Sequence, residues 1–202
     1  MEEWEEVNPV SRMYRSLCFN SVKYIKLPIF KLNMTDFIFI AGSPGSGKTT
    51  ISNLLKDKLN NPPMIDFGWI RGFHLDREWK NASKKEEQMS FESLMFILKN
   101  YVKYGYKNII VNDLQDFRIE QIPKEFLRYD FVIISLVVKD DEELKNRVLG
   151  ERDSGFKDVK TALSWNKKII ERKNLKNEFK VDNTPRNQKK TVDIILGILE
   201  NK

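Results

Sequence analysis

The stretch FIFIAGSPGSGKTTISNLLKDKL, residues 37–59, restricts the fold of this chain more than any other. Phe37 to Ala41 is a continuous apolar run ended by a glycine, the pattern of a short buried strand. Beyond Gly47, the apolar residues Ile51, Leu54, Leu55 and Leu59 recur at helical spacing, so a helix with one core-facing side follows. The segment between them, GSPGSGKT, matches G-x-x-x-x-G-K-[ST] in full. Its glycines let backbone N–H groups turn inward and approach an anion closely. The N-terminus of the following helix adds its dipole and its unpaired donors. Gly42, Ser43, Pro44, Gly45, Ser46, Gly47, Lys48, Thr49 and Thr50 are therefore expected to bind a nucleotide. Lys48 would reach the β- and γ-phosphates, and the Thr49 hydroxyl would ligate Mg²⁺. A glycine loop that merely turns a strand into a helix is the plainer alternative. The strand before and the helix after are the context that favours the phosphate cradle.

At 202 residues one domain is the default, large enough for a substantial core. Hydrophobic residues make up 41% and charged residues 32%, as in a water-soluble globular protein. The longest largely apolar run, Phe131 to Val138, is too short to span a bilayer. Cys18 is the single cysteine, so no internal disulfide forms, and a reducing cytoplasm is the expected compartment. The acidic start MEEWEE lacks the basic region of a secretory signal. The net charge of +6 suits polyanionic substrates. The lysines are scattered along the chain, which argues against a nucleic-acid surface. A homodimer is compatible with these features.

Residues 1–33 have no clear period and precede MTDFIFIAG. They are expected to be an added arm, or else the natural chain begins at Met34; residues 34–202 form the domain. Strands are expected at Met64–Phe67, within KNIIVND, within YDFVIISLVV and at FKVDN. GWIRGFHLDREWKNASKKEEQ, polar and aromatic, reads as an irregular excursion. Ser83 and Glu86 form a capping box that opens a long helix, and Gly105 is placed to end it. DDEELKNRVLG reads as an N-capped helix, ERDSGFKD as a charged loop and Leu163 to Arg172 as another helix. Thr184 as N-cap and Pro185 in the first turn are expected to start the last one. Strands alternating with helices indicate an α/β sandwich around a parallel sheet.

The Asn-Lys of WNKKI lacks the downstream Asp that a guanine-reading N-K-x-D motif needs. From residue 35 to 200 the chain instead resembles the adenylate-kinase-like group of small P-loop kinases, which includes nucleotide, shikimate and gluconate kinases. The resemblance rests on GSPGSGKTT, on NRVLGERDSG and on VDNT before the final helix. It implies a P-loop NTPase fold, a three-layer sandwich with a five-stranded parallel sheet in the order 2-3-1-4-5. It also implies a lid at about residues 150–160 and an acceptor-side excursion at about 68–104. In such kinases arginines spaced like Arg147 and Arg152 contact the donor nucleotide and the transferring phosphoryl. The segment corresponding to VDNT borders the adenine.

Phosphoryl transfer consists mostly of positioning and charge neutralisation, and it needs a cation that arrives when a lid closes. Arg152 and Lys157 lie in the loop suited to that. Asp113 ends the run Ile109, Ile110, Val111, the layout of a Walker-B acid, and would hold the Mg²⁺ water shell; Asp116 is the fallback. Asp66 ends the second strand, where hydroxyl kinases of this group carry the acid that orients the acceptor. Arg71, Arg77 and Arg118 surround the expected acceptor pocket and would suit a monophosphate acceptor instead. Arg118 follows Asp113 at one residue more than the monophosphate-kinase spacing, and the usual GFPR is absent. Phe67, Trp69, Phe73 and Trp79 would form either a stacking site or a small satellite core. The sequence thus points to an ATP- and Mg²⁺-dependent phosphotransferase acting on a small-molecule hydroxyl. Nucleoside monophosphate kinase is the nearest alternative, and a nucleotide-binding regulatory or nucleic-acid-associated protein is the alternative of another class.

Overall fold

The computed structural model of the chain describes residues 34–74, 83–150, 156–185 and 187–202. These belong to the larger of the two units into which the chain divides, Lys31–Lys202. The arm expected over residues 1–33 lies outside the described residues.

Five strands, β1 (Phe37–Gly42), β2 (Met64–Asp66), β3 (Ile109–Asn112), β4 (Phe131–Val137) and β5 (Glu178–Asp182), form one sheet. Its order is β2-β3-β1-β4-β5, and every pairing is parallel. This is the order the resemblance implied. β1 lies in the middle because its side chains are apolar on both faces, as central parallel strands require. Phe37 and Phe39 face one helical layer, while Ile38 and Ile40 face the other.

The first layer holds α2 (Phe67–His74), α3 (Lys84–Lys103), α4 (Asp116–Ile119) and α5 (Ile122–Glu125). Leu94 and Leu98 of α3 and Ile119, Ile122 and Phe126 close over the sheet there. The Phe37 and Phe126 rings lie 4.7 Å apart between centroids. α1 (Lys48–Lys58) and α8 (Gln188–Glu200) cover the other face, with Ile51, Leu55, Val192 and Ile195 inward. α6 (Asp141–Leu149) and α7 (Val159–Glu171) enclose a smaller cluster of Val138, Leu144, Val148 and Ala162. No helix among the described residues is long and apolar enough to cross a membrane.

Most boundaries follow local chemistry. The Ser83–Glu86 capping box opens α3, and Gly105, at φ +84°, follows its last turn. Asp140 caps α6 by accepting from the N–H groups of Glu142 and Glu143.

Four expectations are corrected. The start of the excursion is helical, since Phe67 leaves the second strand and opens α2. The segment after β3 coils into α4 and α5, where a loop was expected. α7 begins at Val159, four residues early, because Asp158 caps it. Thr184 does not cap α8; its hydroxyl is engaged by Asp182 and Lys139, and Asn187 is the cap.

Arg172, just past α7, donates to Glu178 Oε2 at 2.6 Å and Oε1 at 2.7 Å, and to Asp116 Oδ1 at 3.1 Å. Ser135 Oγ also donates to Glu178, as does the Leu175 N–H at 2.7 Å. Burial alone would raise the Glu178 pKa, but the bonds from Arg172, Leu175 and Ser135 outweigh it and hold it below the ordinary 4.5. A lowered carboxylate contributes stability that is present above its unfolded pKa and lost as pH falls through the folded one. Glu178→Ala should therefore cost about 3 kcal/mol at neutral pH, the scale for breaking a buried pair. In chemical denaturation, the gap to wild type should close as pH drops below the ordinary glutamate value.

Candidate active site

The phosphate loop leaves the carboxyl end of β1 and enters α1. Gly45 and Gly47 have φ of +87° and +98°, conformations that side chains disfavour. Space forbids a side chain as well. A Cβ on Gly45 would stand 2.9 Å from Leu144 Cδ1 and 3.0 Å from Val148 Cγ2, and one on Gly47 would stand 2.7 Å from Asn183 Nδ2. The loop is thus clasped by α6 on one side and by Asn183 on the other. Thr49 and Thr50 are exposed in the first turn of α1. The Ser43 and Ser46 hydroxyls are buried and make no hydrogen bond within the protein.

Lys48 Nζ donates to the carbonyls of Gly42 at 3.1 Å and Ser43 at 3.3 Å, and lies 3.9 Å from Asp113 Oδ1. Asp113 comes one residue after β3 in the left-handed region, φ +62°, which Asp tolerates better than most residues. Asp66 ends β2 in register with Asn112. Its Oδ1 accepts the Gly68 N–H at 2.8 Å. Burial, and then the nearby Asp113 carboxylate, raise the Asp66 pKa, against the N–H of Gly68, the Lys48 charge and the N–H of Trp69. Lys48, Asp113 and Asp66 thus come from three different elements and converge at the carboxyl edge of the sheet.

The arginines are placed differently. Arg147 donates from Nε to Glu143 at 2.7 Å, and from Nη2 to the carbonyls of Asn183 at 2.9 Å and Thr184 at 2.8 Å. Arg71 pairs with Glu87 of α3. Arg118 donates to Gln88 Oε1 at 2.8 Å and the Glu87 carbonyl at 3.1 Å, with its guanidinium 4.5 Å from the Phe91 ring centre. Burial pulls the Arg118 pKa down and Arg71 adds to that, while Glu87 opposes it. Arg71 and Arg118 are both buried and tie α2 and α4 to α3. Asp116 is turned toward Arg172 and Lys168, at 3.1 Å from each. Lys157 donates to the carbonyls of Leu149 and Gly150 at the end of α6. Arg152, Arg77 and Trp79 lie outside the described residues.

Asn183 went unassigned in the sequence, although it stands in the VDNT segment. It is buried, and its Nδ2 donates to the Ser46 carbonyl at 2.8 Å while its Oδ1 accepts from Thr191 Oγ1 at 2.8 Å. Its N–H donates to the Val137 carbonyl at 2.9 Å. Only its place after an apolar strand could have signalled this, because the contact spans 137 positions.

The family model described as Zeta toxin matches residues 33–93, from just before β1 through the phosphate loop into α3. No curated protein sequence matches. A sugar kinase from Janibacter sp. HTCC2649 superposes with a TM-score of 0.62 at 15% identity, over 82% of this chain and 95% of that one. A gluconokinase from Sinorhizobium meliloti 1021 does so with a TM-score of 0.59 at 13% identity, over 81% and 91%.

Asn183→Asp would set a carboxylate oxygen against the Ser46 carbonyl, acceptor against acceptor, and Asn183→Ala would leave that carbonyl without the Asn183 donor and the Thr191 hydroxyl with only the Asn187 carbonyl, at 3.2 Å. Each should weaken nucleotide binding in a calorimetric titration, and the Ala variant should cost about 2 kcal/mol of stability, the scale for a buried acceptor left without its donor. With its strand order, its phosphate loop and these neighbours, the chain has the fold of the small P-loop kinases.

Proposed function

We propose that the chain is an ATP- and Mg²⁺-dependent phosphotransferase that phosphorylates a hydroxyl group on a small molecule. The convergence of Lys48, Asp113 and Asp66 at one strand edge carries this reading. The cradle suits a nucleotide: two left-handed glycines leave no room for a Cβ, and two buried serine hydroxyls make no hydrogen bond within the protein. Thr49, at the start of α1, and Asp113 would hold Mg²⁺, a hard cation that prefers oxygen ligands. When bound, the ion would neutralise charge on the phosphate oxygens.

In this reading Lys48 leaves the Gly42 and Ser43 carbonyls for the bridge between the β- and γ-phosphates. Asp66 accepts the proton of the attacking hydroxyl at its carboxylate. A raised pKa brings Asp66 closer to the working pH, as a general base requires. Arg152 supplies lid charge to the transferring phosphoryl, and Arg147 holds the nucleotide-side segment through Asn183 and Thr184. A monophosphate acceptor would need Arg71 and Arg118 to face its phosphate, and their bonds to Glu87 and Gln88 favour the hydroxyl instead. The fold likeness to a sugar kinase and a gluconokinase agrees with such an acceptor.

The test is ADP release with ATP, Mg²⁺ and a panel of polyols, sugars, nucleosides and nucleotides. Lys48→Ala should abolish transfer, and an active variant would end the kinase reading. Asp66→Asn should lower turnover by roughly 10²-fold or more, the usual scale of acid–base help. The wild-type rate should fall as pH drops through the raised Asp66 pKa, so the acid limb should lie above the ordinary aspartate value of 3.8. A near-normal Asp66→Asn beside a crippled Arg71→Ala or Arg118→Ala would transfer the assignment to a monophosphate kinase.

A further inference from the structure

The aromatic residues after β2 separate onto two sides of α2. Phe67 is buried against Phe91, with ring centres 6.3 Å apart, and Ile70 and Arg71 lie on the same inner side. Trp69 and Phe73 are 77% and 83% exposed. They are four residues apart and therefore neighbours on one helical face. Gly72 lies between them, and a Cβ there would meet nothing within 4 Å. This arrangement rules out a satellite core for Trp69 and Phe73. It leaves two large aromatic side chains in water on an eight-residue helix, a patch of the kind that marks a binding surface.

Its position says what covers it. α2 starts at the residue after Asp66, and the N–H groups of Gly68 and Trp69 both bond to the Asp66 carboxylate. The Trp69 backbone is therefore anchored directly to the proposed base. An acceptor whose hydroxyl met Asp66 would lie against the start of α2, the helix that carries this face. Among the described residues the face carries no charge: its members are Gly68, Trp69, Gly72 and Phe73, and Arg71, on the inner side of the helix, pairs with Glu87. A neutral flat ring fits such a surface, through its C–H face or its π-face, whereas a phosphate or carboxylate does not.

We propose that Trp69, with Phe73 beside it, is the platform on which the acceptor's uncharged ring stacks while its hydroxyl reaches Asp66. This inference rests on the phosphotransferase reading and narrows its substrate to hydroxylated ring compounds.

The full chain is tested for ADP release with ATP and four probes. Methyl β-D-glucopyranoside and uridine carry rings of the two chemical kinds, and glycerol and sorbitol are open-chain. The expected result is turnover of one of the ring compounds and none of the open-chain polyols; which ring is used identifies the source. With that compound, Trp69→Ala should raise the ratio of acceptor KM to ATP KM by about ten-fold or more, on the scale of one lost stacking contact. Trp69→Phe should restore most of that loss. Phe96→Ala, an equally exposed aromatic change on α3, should alter neither KM. Thermal melts of the variants establish that each folds.

Turnover of the open-chain polyols with the ring compounds inert, or an unchanged ratio in Trp69→Ala, would overturn the platform and leave the kinase standing. A dimer in sedimentation that Trp69→Ala dissociates would make the patch an interface between copies of the chain, and would overturn it too. Absence of ATP binding and of ADP release with every probe would remove the phosphotransferase reading and this one with it.

Discussion

At Gly45 the chain passes so close to α6 that a single added carbon would stand 2.9 Å from Leu144 and 3.0 Å from Val148. At Gly47 the same addition would meet Asn183. The phosphate loop is thus pressed between α6 and the end of β5, and its backbone takes up left-handed turns that only glycine accepts readily. Everything around the site follows from this contact. Leu144 and Val148 are core residues of α6, so the packing that buries them also fixes one wall of the cradle. Asn183 bridges to Thr191 in α8 and to Val137 in β4, so the other wall is tied to two further elements.

Arg147 extends this clasp. By donating to the carbonyls of both Asn183 and Thr184, it joins α6 to the segment that holds Ser46. α6 ends at the start of the stretch read as a lid, and Lys157, within that stretch, donates to the Leu149 and Gly150 carbonyls at the end of the same helix. A displacement of α6 would therefore be felt at the phosphate loop through packing at Gly45 and through hydrogen bonds at Asn183. At the start of β5, Arg172 joins Glu178 to Asp116, three residues after Asp113. β5 is thus tied at both ends, by Arg172 at its first residue and by Arg147 just beyond its last.

The layer of α2, α3 and α4 is held by arginines as well. Glu87 pairs with Arg71, and its carbonyl accepts from Arg118, so two cations hold three helices together. Asp66 feels the charges of both Asp113 and Lys48, and Lys48 lies 3.9 Å from Asp113. Burial, and then the charge of Asp113, raise the Asp66 pKa.

The phosphate loop, β1 and α1 were legible in the sequence because their signals are local: an apolar run, glycines at fixed spacing and a 3.6-residue period. The alternation of strands and helices was legible for the same reason, and so were the caps at Ser83 and Asp140. The strand-end acids could be named as well, since each closes an apolar run. The helical start of the acceptor-side segment was hidden, because Phe67-Gly-Trp-Ile-Arg-Gly carries two glycines and a mixed pattern, and its helicity depends on burying Phe67 and Ile70 against α3. The commitments of Arg71, Arg118 and Arg147 were hidden too. An arginine's charge can be read in one dimension, but its partner is chosen by contacts across 16, 31 and 36 positions, which only the folded chain brings within bonding distance.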